Sequence, residues 1–414
     1  MSVTVPSGYK QTKVGVIPED WGTYRIDNVL QRIRKKVEVE KEVMYQQIGI
    51  RSHAKGIFHK ELVSGEALGN KSVFWIEEDC FIVNIVFAWE QAVAKTTEAE
   101  KGMIASHRFP MYKAKDNKVN IDYILYFFKS KRGKYLLGLA SPGGAGRNKT
   151  LGQKEFSELK LPLPSLEEQQ KIAQILTTWD DAISKQEEFI KAKETLKKGL
   201  MQKLLSGEVR FSGFDGEWEE VSLGDIGTFK SGFGFPENQQ GKTNQKYPFY
   251  KVSDMNLTGN EVYMKSENHS ISEDVLKQLK GKTIPKNSII FAKVGAALLL
   301  DRRRITTKES CLDNNMMAFI PNKELIDTNF IYSKFLMIRF AKLANVGALP
   351  SIGAGDLKTY KISIPELEEQ QKIAQILTTA DKEIELLKKE LETLKEQKRG
   401  LMQRLLSGVV RVRV

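Results

Sequence analysis

Side chains able to read DNA bases form short polar clusters in two long stretches of this 414-residue sequence. In residues 1–160 the clusters contain Arg51, Ser52, His53, Lys55, Lys95, Ser106, His107, Arg108, Arg147, Asn148 and Lys149. In residues 212–361 they contain Lys251, Ser253, Asn256, Lys293, Arg302, Arg303, Arg304, Lys308, Asn314 and Asn315. Arginine can form two hydrogen bonds to guanine and asparagine two to adenine, whereas lysine mostly contacts phosphate. We treat these residues as candidate DNA contacts. The alternative for each is an ordinary surface charge or turn residue.

Other kinds of chemistry find little support in the sequence. Residues 141–150 resemble a phosphate-binding loop, but Asn148 replaces the glycine that would let the backbone approach phosphate. The four histidines lack metal-ligand spacing with cysteine. We find neither a strand followed by GxGxxG nor the Asn/Asp-Pro-Pro-aromatic tetrapeptide of an amino-methyltransferase. The sequence therefore predicts a binding protein with no metal site rather than an enzyme.

The charge balance points to a polyanionic partner. Lys and Arg total 64 against 52 Asp and Glu, which gives a net charge of +12 and favours nucleic acid or an anionic membrane surface. The alternative is that basicity only keeps the protein soluble. No apolar run approaches the roughly 20 residues of a membrane span, and the first residues lack a signal-peptide core. With only Cys80 and Cys311, we expect a cytoplasmic protein without disulfides or membrane contact.

A long internal repeat reveals the elements that must position the polar clusters. Residues 164–210 and 365–411 align without a gap, with about 27 identities in 47 positions. Residues 1–160 and 212–361, which precede the two copies, have little in common. Two similar scaffolds that carry dissimilar segments indicate one task performed on two different targets.

Both copies of the repeat predict a long helix with a heptad seam, roughly 60 Å long at about 1.5 Å per residue. The seam of the second copy contains Ile373, Leu377, Ala380, Ile384, Leu387, Leu391, Leu394, Leu401 and Leu405. That of the first copy contains Ile172, Leu176, Trp179, Ile183, Leu200 and Leu204, with Gln186, Lys193 and Lys197 at its middle, where we expect looser pairing. We predict an antiparallel coiled coil; the alternative is two separate helices, each lying on its own domain.

The variable segments have mixed α and β character, with strand-like runs at 81–89 and 288–300 and helix-like runs at 121–137 and 330–344. We therefore predict an α+β fold: two mixed α/β globular target-recognition domains, separated by two long antiparallel coiled-coil helices, with an internal pseudo-two-fold repeat. The expected boundaries are 1–160 and 212–361 for the globular domains, and 161–211 and 362–414 for the helical regions.

Several motifs resemble those of the specificity subunits of type I restriction-modification systems. They are GVIPEDW near the start, PLPSLEEQQKIAQIL and LMQKLLSGEVR, and the near-repeats IPELEEQQKIAQIL and LMQRLLSGVVR. The resemblance covers the whole chain. It implies that each recognition domain reads one half of a bipartite, asymmetric DNA site and that the helices set the spacing between the halves.

The resemblance also implies partners. The helices would dock two modification subunits, which bind S-adenosylmethionine and methylate adenine, and restriction subunits that use ATP and Mg²⁺ would join them. This chain would hold no cofactor of its own. The alternatives are a nuclease or methyltransferase with an unrecognised site, a coiled-coil scaffold that does not bind nucleic acid, and, within the family, a subunit of a modification-only complex.

Overall fold

The computed structural model describes residues 5–143, 149–345 and 349–413, and its contacts divide the chain into two compact units. Unit 1 contains residues 1–187 and 389–414, and unit 2 contains residues 188–388. Both divisions fall inside long helices. Each unit therefore consists of one globular part and half of each long helix.

The globular part of unit 1 is a mixed α/β domain. Its strands are β1 (Tyr9–Thr12), β2 (Gly15–Pro18), β3 (Gly22–Arg25), β4 (Leu30–Ile33), β5 (Met44–Ile50), β6 (Ile57–Ser64), β7 (Val73–Trp75), β8 (Phe81–Val83), β9 (Val93–Lys95), β10 (Ile104–Ser106), β11 (Met111–Ala114) and β12 (Lys160–Leu163). Its helices are α1 (Ile26–Val29), α2 (Gly65–Leu68), α3 (Ile121–Lys129), α4 (Lys131–Leu139), α5 (Gln153–Glu158) and the first half of α6 (Leu166–Ser206). Two four-stranded sheets have the orders β6-β5-β10-β7 and β4-β11-β8-β9.

Unit 2 has the same mixed character with a different sheet arrangement. Its strands are β13 (Glu219–Ser222), β14 (Gly227–Ser231), β15 (Tyr247–Tyr250), β16 (Tyr263–Met264), β17 (Ser270–Ile271), β18 (Ile289–Ala292), β19 (Arg303–Thr306), β20 (Cys311–Leu312), β21 (Met316–Pro321) and β22 (Lys361–Ile364). Its helices are α7 (Glu273–Gln278), α8 (Gly295–Leu299), α9 (Thr328–Met337), α10 (Ala354–Lys358) and the first half of α11 (Leu367–Leu406). The larger sheets are β14-β21-β18-β19-β16 and β17-β15-β20.

A two-stranded antiparallel pair closes each globular part just before a long helix. In unit 1, β12 pairs with β3 and places Leu161 opposite Tyr24. In unit 2, β22 pairs with β13 and places Ile362 opposite Val221. Leu161 and Ile362 each lie three residues before their copy of the repeat, and both are buried. The two ends of each variable segment therefore meet where its long helix begins.

Ion pairs show that the halves of the long helices pack antiparallel within each unit. These pairs are Asp180–Lys398 and Glu187–Lys395 in unit 1, and Glu194–Lys388 and Lys197–Asp381 in unit 2. In each unit the residue number rises along α6 as it falls along α11. The pairs of unit 2 are also the repeat counterparts of those in unit 1. The predicted antiparallel pair and internal repeat are thus confirmed, and the alternative of two unpaired helices is wrong.

The ends of the long helices are part of the domain cores. Ile172 and Leu176 of α6 join Leu405 of α11 in the main apolar cluster of unit 1. In unit 2, Leu204 of α6 lies in the corresponding cluster with Ile373 of α11. Full burial of one such side chain contributes about 1.5–3 kcal/mol. Each globular part is thereby fastened to one end of both helices.

Three of the predicted elements end or divide earlier than expected, and a local residue explains each case. The strand expected at 81–89 ends at Val83, because the Asn84 side chain accepts a hydrogen bond from the backbone N–H of Val86 at 3.1 Å. The run at 288–300 turns at Gly295, whose φ is +68°, and continues as α8. The helix expected at 121–137 is two helices, since Ser130 caps α4 by accepting the N–H of Gly133 at 3.0 Å.

Cys80 and Cys311 are both buried free thiols. Burial raises the pKa of Cys80 to about 11 and that of Cys311 to about 12, so neither thiol is activated as a nucleophile. Every helix among residues 5–143, 149–345 and 349–413 is too short or too polar to span a lipid bilayer.

Candidate nucleic-acid interface

Two backbone hydrogen bonds in unit 1 join three chain segments, two of which carry candidate residues. The N–H of Ile85, just after β8, donates to the carbonyl of Arg108 at 3.0 Å. The carbonyl of Ile85 accepts the N–H of Leu151 at 2.8 Å. This arrangement, which we call junction 1, holds the turn at 106–108 beside the segment that follows Lys149.

A second set of contacts fixes the turn between β5 and β6 against the same region. His53 and Ala54 adopt left-handed backbone angles, with φ of 59° and 53°, which non-glycine residues seldom adopt. Their N–H groups donate to the carbonyls of Glu90 and Gln91 at 2.7 and 2.8 Å. The Ser52 hydroxyl donates to the Glu90 carboxylate at 2.8 Å. The turn is therefore held in a defined conformation, with the Arg51, His53 and Lys55 side chains exposed.

Most of the first set of candidates thus converges on one surface. The exposed members of this surface are Arg51, His53, Lys55, His107 and Arg108. Lys149 lies with its ammonium 5.7 Å from the centre of the Trp89 ring. Sequence reasoning missed Trp89 and Glu90, although their place in an aromatic-polar run after a strand was a usable signal. The surface combines cations, imidazoles and a partly exposed aromatic ring.

Unit 2 contains an equivalent junction with different side chains. The N–H of Lys293, just after β18, donates to the carbonyl of Asn315 at 2.9 Å, and the carbonyl of Lys293 accepts the N–H of Ile352 at 2.9 Å. Leu151 and Ile352 each lie 13 residues before the first residue of their copy of the repeat. In this junction 2, the turn at 313–315 takes the place of the turn at 106–108.

The buried carboxylate of Asp313 shapes that turn. Asp313 is 6% exposed, and its Oδ1 accepts the backbone N–H of Asn315 at 2.8 Å. Asn314 and Asn315 are exposed. The turn therefore presents two amides, which can donate and accept hydrogen bonds, beside the backbone of Lys293.

A buried acid also organises the neighbouring loop at 251–256. Asp254 is fully buried and accepts hydrogen bonds from the N–H of Lys251 at 2.7 Å and from the side chain of Asn268 at 2.7 Å. Ser253 and Asn256 are exposed. This loop connects to junction 2 because the N–H of Asp313 donates to the carbonyl of Tyr250 at 3.0 Å.

The three consecutive arginines 302–304 divide into different roles. Arg302 is exposed and donates to the Asn256 side chain. Arg303 is only 2% exposed, contacts the Phe340 ring at 4.1 Å and donates to the Ile338 carbonyl at 2.8 Å. Arg304 donates to the Met255 carbonyl at 3.0 Å, and burial lowers its pKa. Arg303 is thus packed in the core and is inaccessible to a ligand, while Arg304 stabilises the 251–256 loop through its hydrogen bond to Met255.

Four other candidates lie outside these surfaces or outside the described chain. Lys95 is opposite Phe81 in the sheet register, at the end of β8 remote from junction 1, and pairs with Asp122 at 2.8 Å. Lys308 follows β19 at the end remote from Arg302. Arg147 and Asn148 lie outside the described residues.

The repeated LEEQQ sequence has a structural role that sequence reasoning missed. Its second glutamate, Glu168 in unit 1 and Glu369 in unit 2, is buried. Arg411 donates to Glu168 in two hydrogen bonds of 2.8 Å, and Arg210 donates to Glu369 at 2.6 and 2.8 Å. Each long helix is therefore fastened at its start to the chain just beyond the end of the other.

The predicted seam residues follow a consistent burial pattern along the helices. The buried members are Ile172, Leu176, Leu204, Ile373, Leu377, Ile384, Leu391 and Leu405, and the partly exposed members are Trp179, Ile183, Leu200, Leu387, Leu394 and Leu401. Ile190, omitted from the prediction, is also buried. Lys193 at the polar middle pairs with Glu383 at 2.6 Å, so ion pairs replace apolar contacts there.

The described residues contain no group of three or more His, Cys, Asp or Glu side chains placed to hold a metal ion. The electrostatic features of the two surfaces are instead exposed cations and amides on turns fixed by backbone bonds. Such groups can bind phosphate and base edges.

Known proteins resemble the chain over nearly its full length. A family model described as the type I restriction modification DNA specificity domain matches residues 18–192 and 215–396. The putative type I restriction enzyme MjaX specificity subunit of Methanocaldococcus jannaschii is 26% identical over 98% of this chain and 97% of its own. The MjaVIII specificity subunit of the same organism is 25% identical over 96% of this chain and 94% of its own.

Solved structures share the fold at low sequence identity. One, from work on complex assembly and conformational transition of the type I R-M system, has a TM-score of 0.60 at 16% identity and covers 95% of this chain and 99% of its own. The type I restriction-modification S subunit from M. genitalium has a TM-score of 0.56 at 16% identity, and the match covers 97% of this chain and 98% of that subunit.

Proposed function

The chain belongs to the type I restriction-modification DNA specificity family, and on that premise we propose that junctions 1 and 2 carry the surfaces that read the two halves of a bipartite site in double-stranded DNA. The observation that carries the proposal is the shared backbone geometry of the junctions beneath different side chains. Ser106, His107 and Arg108 in unit 1 are replaced by Asp313, Asn314 and Asn315 in unit 2. A common frame with different hydrogen-bonding groups suits two readers of different sequences.

Each exposed side chain has a role suited to its chemistry. Arg51 and Arg108 can form two hydrogen bonds to a guanine, and Asn314 and Asn315 can do so to an adenine. Lys55 and Lys149 contact phosphate, where a point charge positions the protein without reading sequence. Arg303 is left out of this assignment because of its burial.

The long helices set the spacing between the half-sites. α6 and α11 are uninterrupted helices of 41 and 40 residues, and a stiff connection keeps two modest readers at a fixed separation, which raises their combined affinity when that separation matches the site. We assign residues 1–160 and 212–361 as target-recognition domains and residues 161–211 and 362–414 as conserved helical regions.

Membership of the family supports a proposal for the partners. Two modification subunits dock on the helical regions, bind S-adenosylmethionine and methylate adenine in the site that this chain selects. Restriction subunits that use ATP and Mg²⁺ complete the complex. The chain itself supplies recognition, holds no cofactor and acts in the cytoplasm, where its two thiols stay reduced.

Genome-wide mapping of adenine methylation, in cells with and without the gene, tests this function. We expect one split motif, with two defined halves and a fixed gap, to be methylated only in cells that contain the chain. An unchanged methylome in cells that express the modification subunits would refute the assignment. Binding of the complex to that motif should weaken steeply with salt, because phosphate contacts release counterions.

A further inference from the structure

A cavity of about 520 Å³ lies within unit 2, between α9, the first half of α11 and residues 258–265. Its wall includes Ser333 of α9 together with Thr378 and Asp381 of α11. None of these residues belongs to the proposed DNA-reading surfaces. A volume of this size is in the range of small-molecule sites, which bury most of their ligand.

The internal repeat identifies what occupies the same place in unit 1. α3 and α9 begin at corresponding points, because Gln169 accepts the N–H of Asn120 at 3.0 Å and its repeat counterpart Gln370 accepts the N–H of Asp327 at 2.9 Å. Asn120 and Asp327 are the N-cap residues of these helices. The two helices can therefore be compared residue by residue from their caps.

Six positions after the cap, unit 1 has Tyr126 and unit 2 has Ser333. Tyr126 is 4% exposed, and its hydroxyl donates to Asp180 at 2.7 Å and lies 3.1 Å from the Thr177 hydroxyl. Its ring therefore fills the space between α3 and α6. The corresponding helix pair in unit 2 has a small residue where this ring would lie.

Unit 2 nevertheless has the same two side-chain types that contact the Tyr126 hydroxyl in unit 1. Thr378 and Asp381 are the repeat counterparts of Thr177 and Asp180. The Oδ1 atom of Asp381 pairs with Lys197, just as the Oδ1 atom of Asp180 pairs with Lys398.

The tyrosine partner of this acid is missing from unit 2. In the described part of the chain, no hydrogen-bond donor reaches the Oδ2 atom of Asp381, whereas Tyr126 donates to the Oδ2 atom of Asp180. The Ser333 hydroxyl instead donates to the Asn329 carbonyl of its own helix at 2.8 Å. An acceptor carboxylate and a ring-sized space thus remain side by side.

We propose that this cavity binds a para-hydroxyphenyl group, whose hydroxyl donates to Asp381 and whose ring lies between α9 and α11. Tyr263, Tyr332 and Ile384 line the cavity and supply apolar and aromatic surface for the ring. A free phenolic compound and a tyrosine side chain of a partner protein share this chemistry. Binding is non-covalent and uses no further group.

Fluorine NMR titration of the full-length chain with 4-fluorophenol tests the site. The wild-type chain should bind one equivalent saturably. S333Y should weaken that binding by roughly tenfold or more, because the new side chain fills the cavity. Y126S should open the corresponding cavity in unit 1 and raise the stoichiometry to two. Absence of saturable binding to the wild type, or an unchanged affinity in S333Y, would overturn the proposal.

Thermal unfolding provides a second readout that needs no ligand. S333Y should raise the Tm, because the side chain fills the cavity and reaches Asp381, and S333F, which lacks the hydroxyl, should raise it less. Equal Tm values for S333F and S333Y would count against the carboxylate contact. If S333Y does not fold, the Y126S stoichiometry still decides the matter: one equivalent contradicts the proposal.

An experiment with the assembled complex distinguishes a free phenolic ligand from a tyrosine side chain of a partner protein. Added modification subunits should displace 4-fluorophenol from the wild-type chain if one of their tyrosines occupies the cavity. The probe should stay bound in the complex if the natural ligand is a free molecule. This comparison depends on the proposed partners, whereas the titration of the chain alone does not.

Discussion

At the scale of single residues, a side chain can be removed from the proposed reading surface without disturbing the frame that holds it. Asn315 takes part in junction 2 through its backbone, whose carbonyl accepts from Lys293 and whose N–H donates to Asp313. Substitution by alanine keeps both bonds. The side chain of Asn315 is exposed and is therefore free to meet a base.

We expect N315A to weaken binding of the assembled complex to its motif by about 1–3 kcal/mol, with the loss confined to base pairs of the half-site read by unit 2. K308A is the matched control, because Lys308 is exposed but lies beyond the other end of β19. Fluorescence anisotropy with a set of single-base variants of the motif measures both. A loss in K308A equal to that in N315A would show that junction 2 does not read bases.

The arginine that follows each long helix should matter for stability rather than for binding. Among the described residues, removal of Arg411 leaves Glu168 with the Trp21 indole N–H, at 3.3 Å, as the remaining side-chain donor to its carboxylate. We expect R411A to lower the free energy of unfolding by about 2 kcal/mol. Breaking a fully buried ion pair costs roughly 3–5 kcal/mol, and the loss here should be smaller because Arg411 is 40% exposed. Urea unfolding with hydrogen exchange should place the loss in unit 1.

The counterpart in unit 2 should be the more sensitive of the two. Glu369 is fully buried, and the indole nitrogen of Trp218 has no hydrogen-bond partner, so Arg210 alone neutralises this carboxylate within the described residues. R210A should therefore lower the free energy of unfolding more than R411A does, with the lost protection in unit 2. The exposed pair Lys361–Glu220 supplies a control, K361A, that should change little. A larger effect of R411A would contradict this ranking.

At the scale of elements, periodic patterns made the long helices predictable. The heptad spacing and the near-identical copies identified both helices and their antiparallel packing, because these depend on local pattern and matched seams. The looser pairing expected at the polar middle stays a prediction, but the ion pairs there were not foreseen. Lys193 and Lys197 have acidic partners on α11 that a comparison of the two seams across the chain could have revealed.

The reading surfaces were only partly predictable because backbone bonds between distant segments assemble them. The clusters at 51–55 and 106–108 were recognised by composition, but nothing local shows that Glu90 fixes the first. The burial of Arg303 was not foreseen, since its position in β19 and its contact with Phe340 depend on the tertiary fold. Side-chain type thus indicated the chemistry, and the fold decided which residues are accessible.

The ion pairs at the middle of the seam can be tested by charge exchange. Lys193 and Glu383 lie 2.6 Å apart and are 27% and 47% exposed, so K193E should cost about 1 kcal/mol of unfolding free energy. The double exchange K193E/E383K should recover most of that loss. K198E, which alters an exposed lysine of the same helix, should have little effect. A double variant no more stable than K193E, by urea unfolding, would show that the pair does not stabilise the seam.

At the scale of the whole molecule, we expect the length of the two long helices to determine the gap between the two half-sites in the DNA. The division between the units falls at residues 187 and 388, so extra residues inserted at both places leave the contacts of each unit in place. Seven residues in each helix preserve the heptad phase. They add about 10.5 Å at about 1.5 Å per residue, or roughly three base pairs at about 3.4 Å each.

Methylation mapping with this double insertion should therefore yield the same two half-sites separated by a gap roughly three base pairs longer. The junctions are untouched, so the bases read should not change. A control insertion of seven residues after Gly241, which has a φ of +81° in an exposed turn, should leave the gap as it was. Altered half-sites with an unchanged gap would mean that the helices do not determine the spacing, and that separation of the readers is controlled by the partner subunits instead.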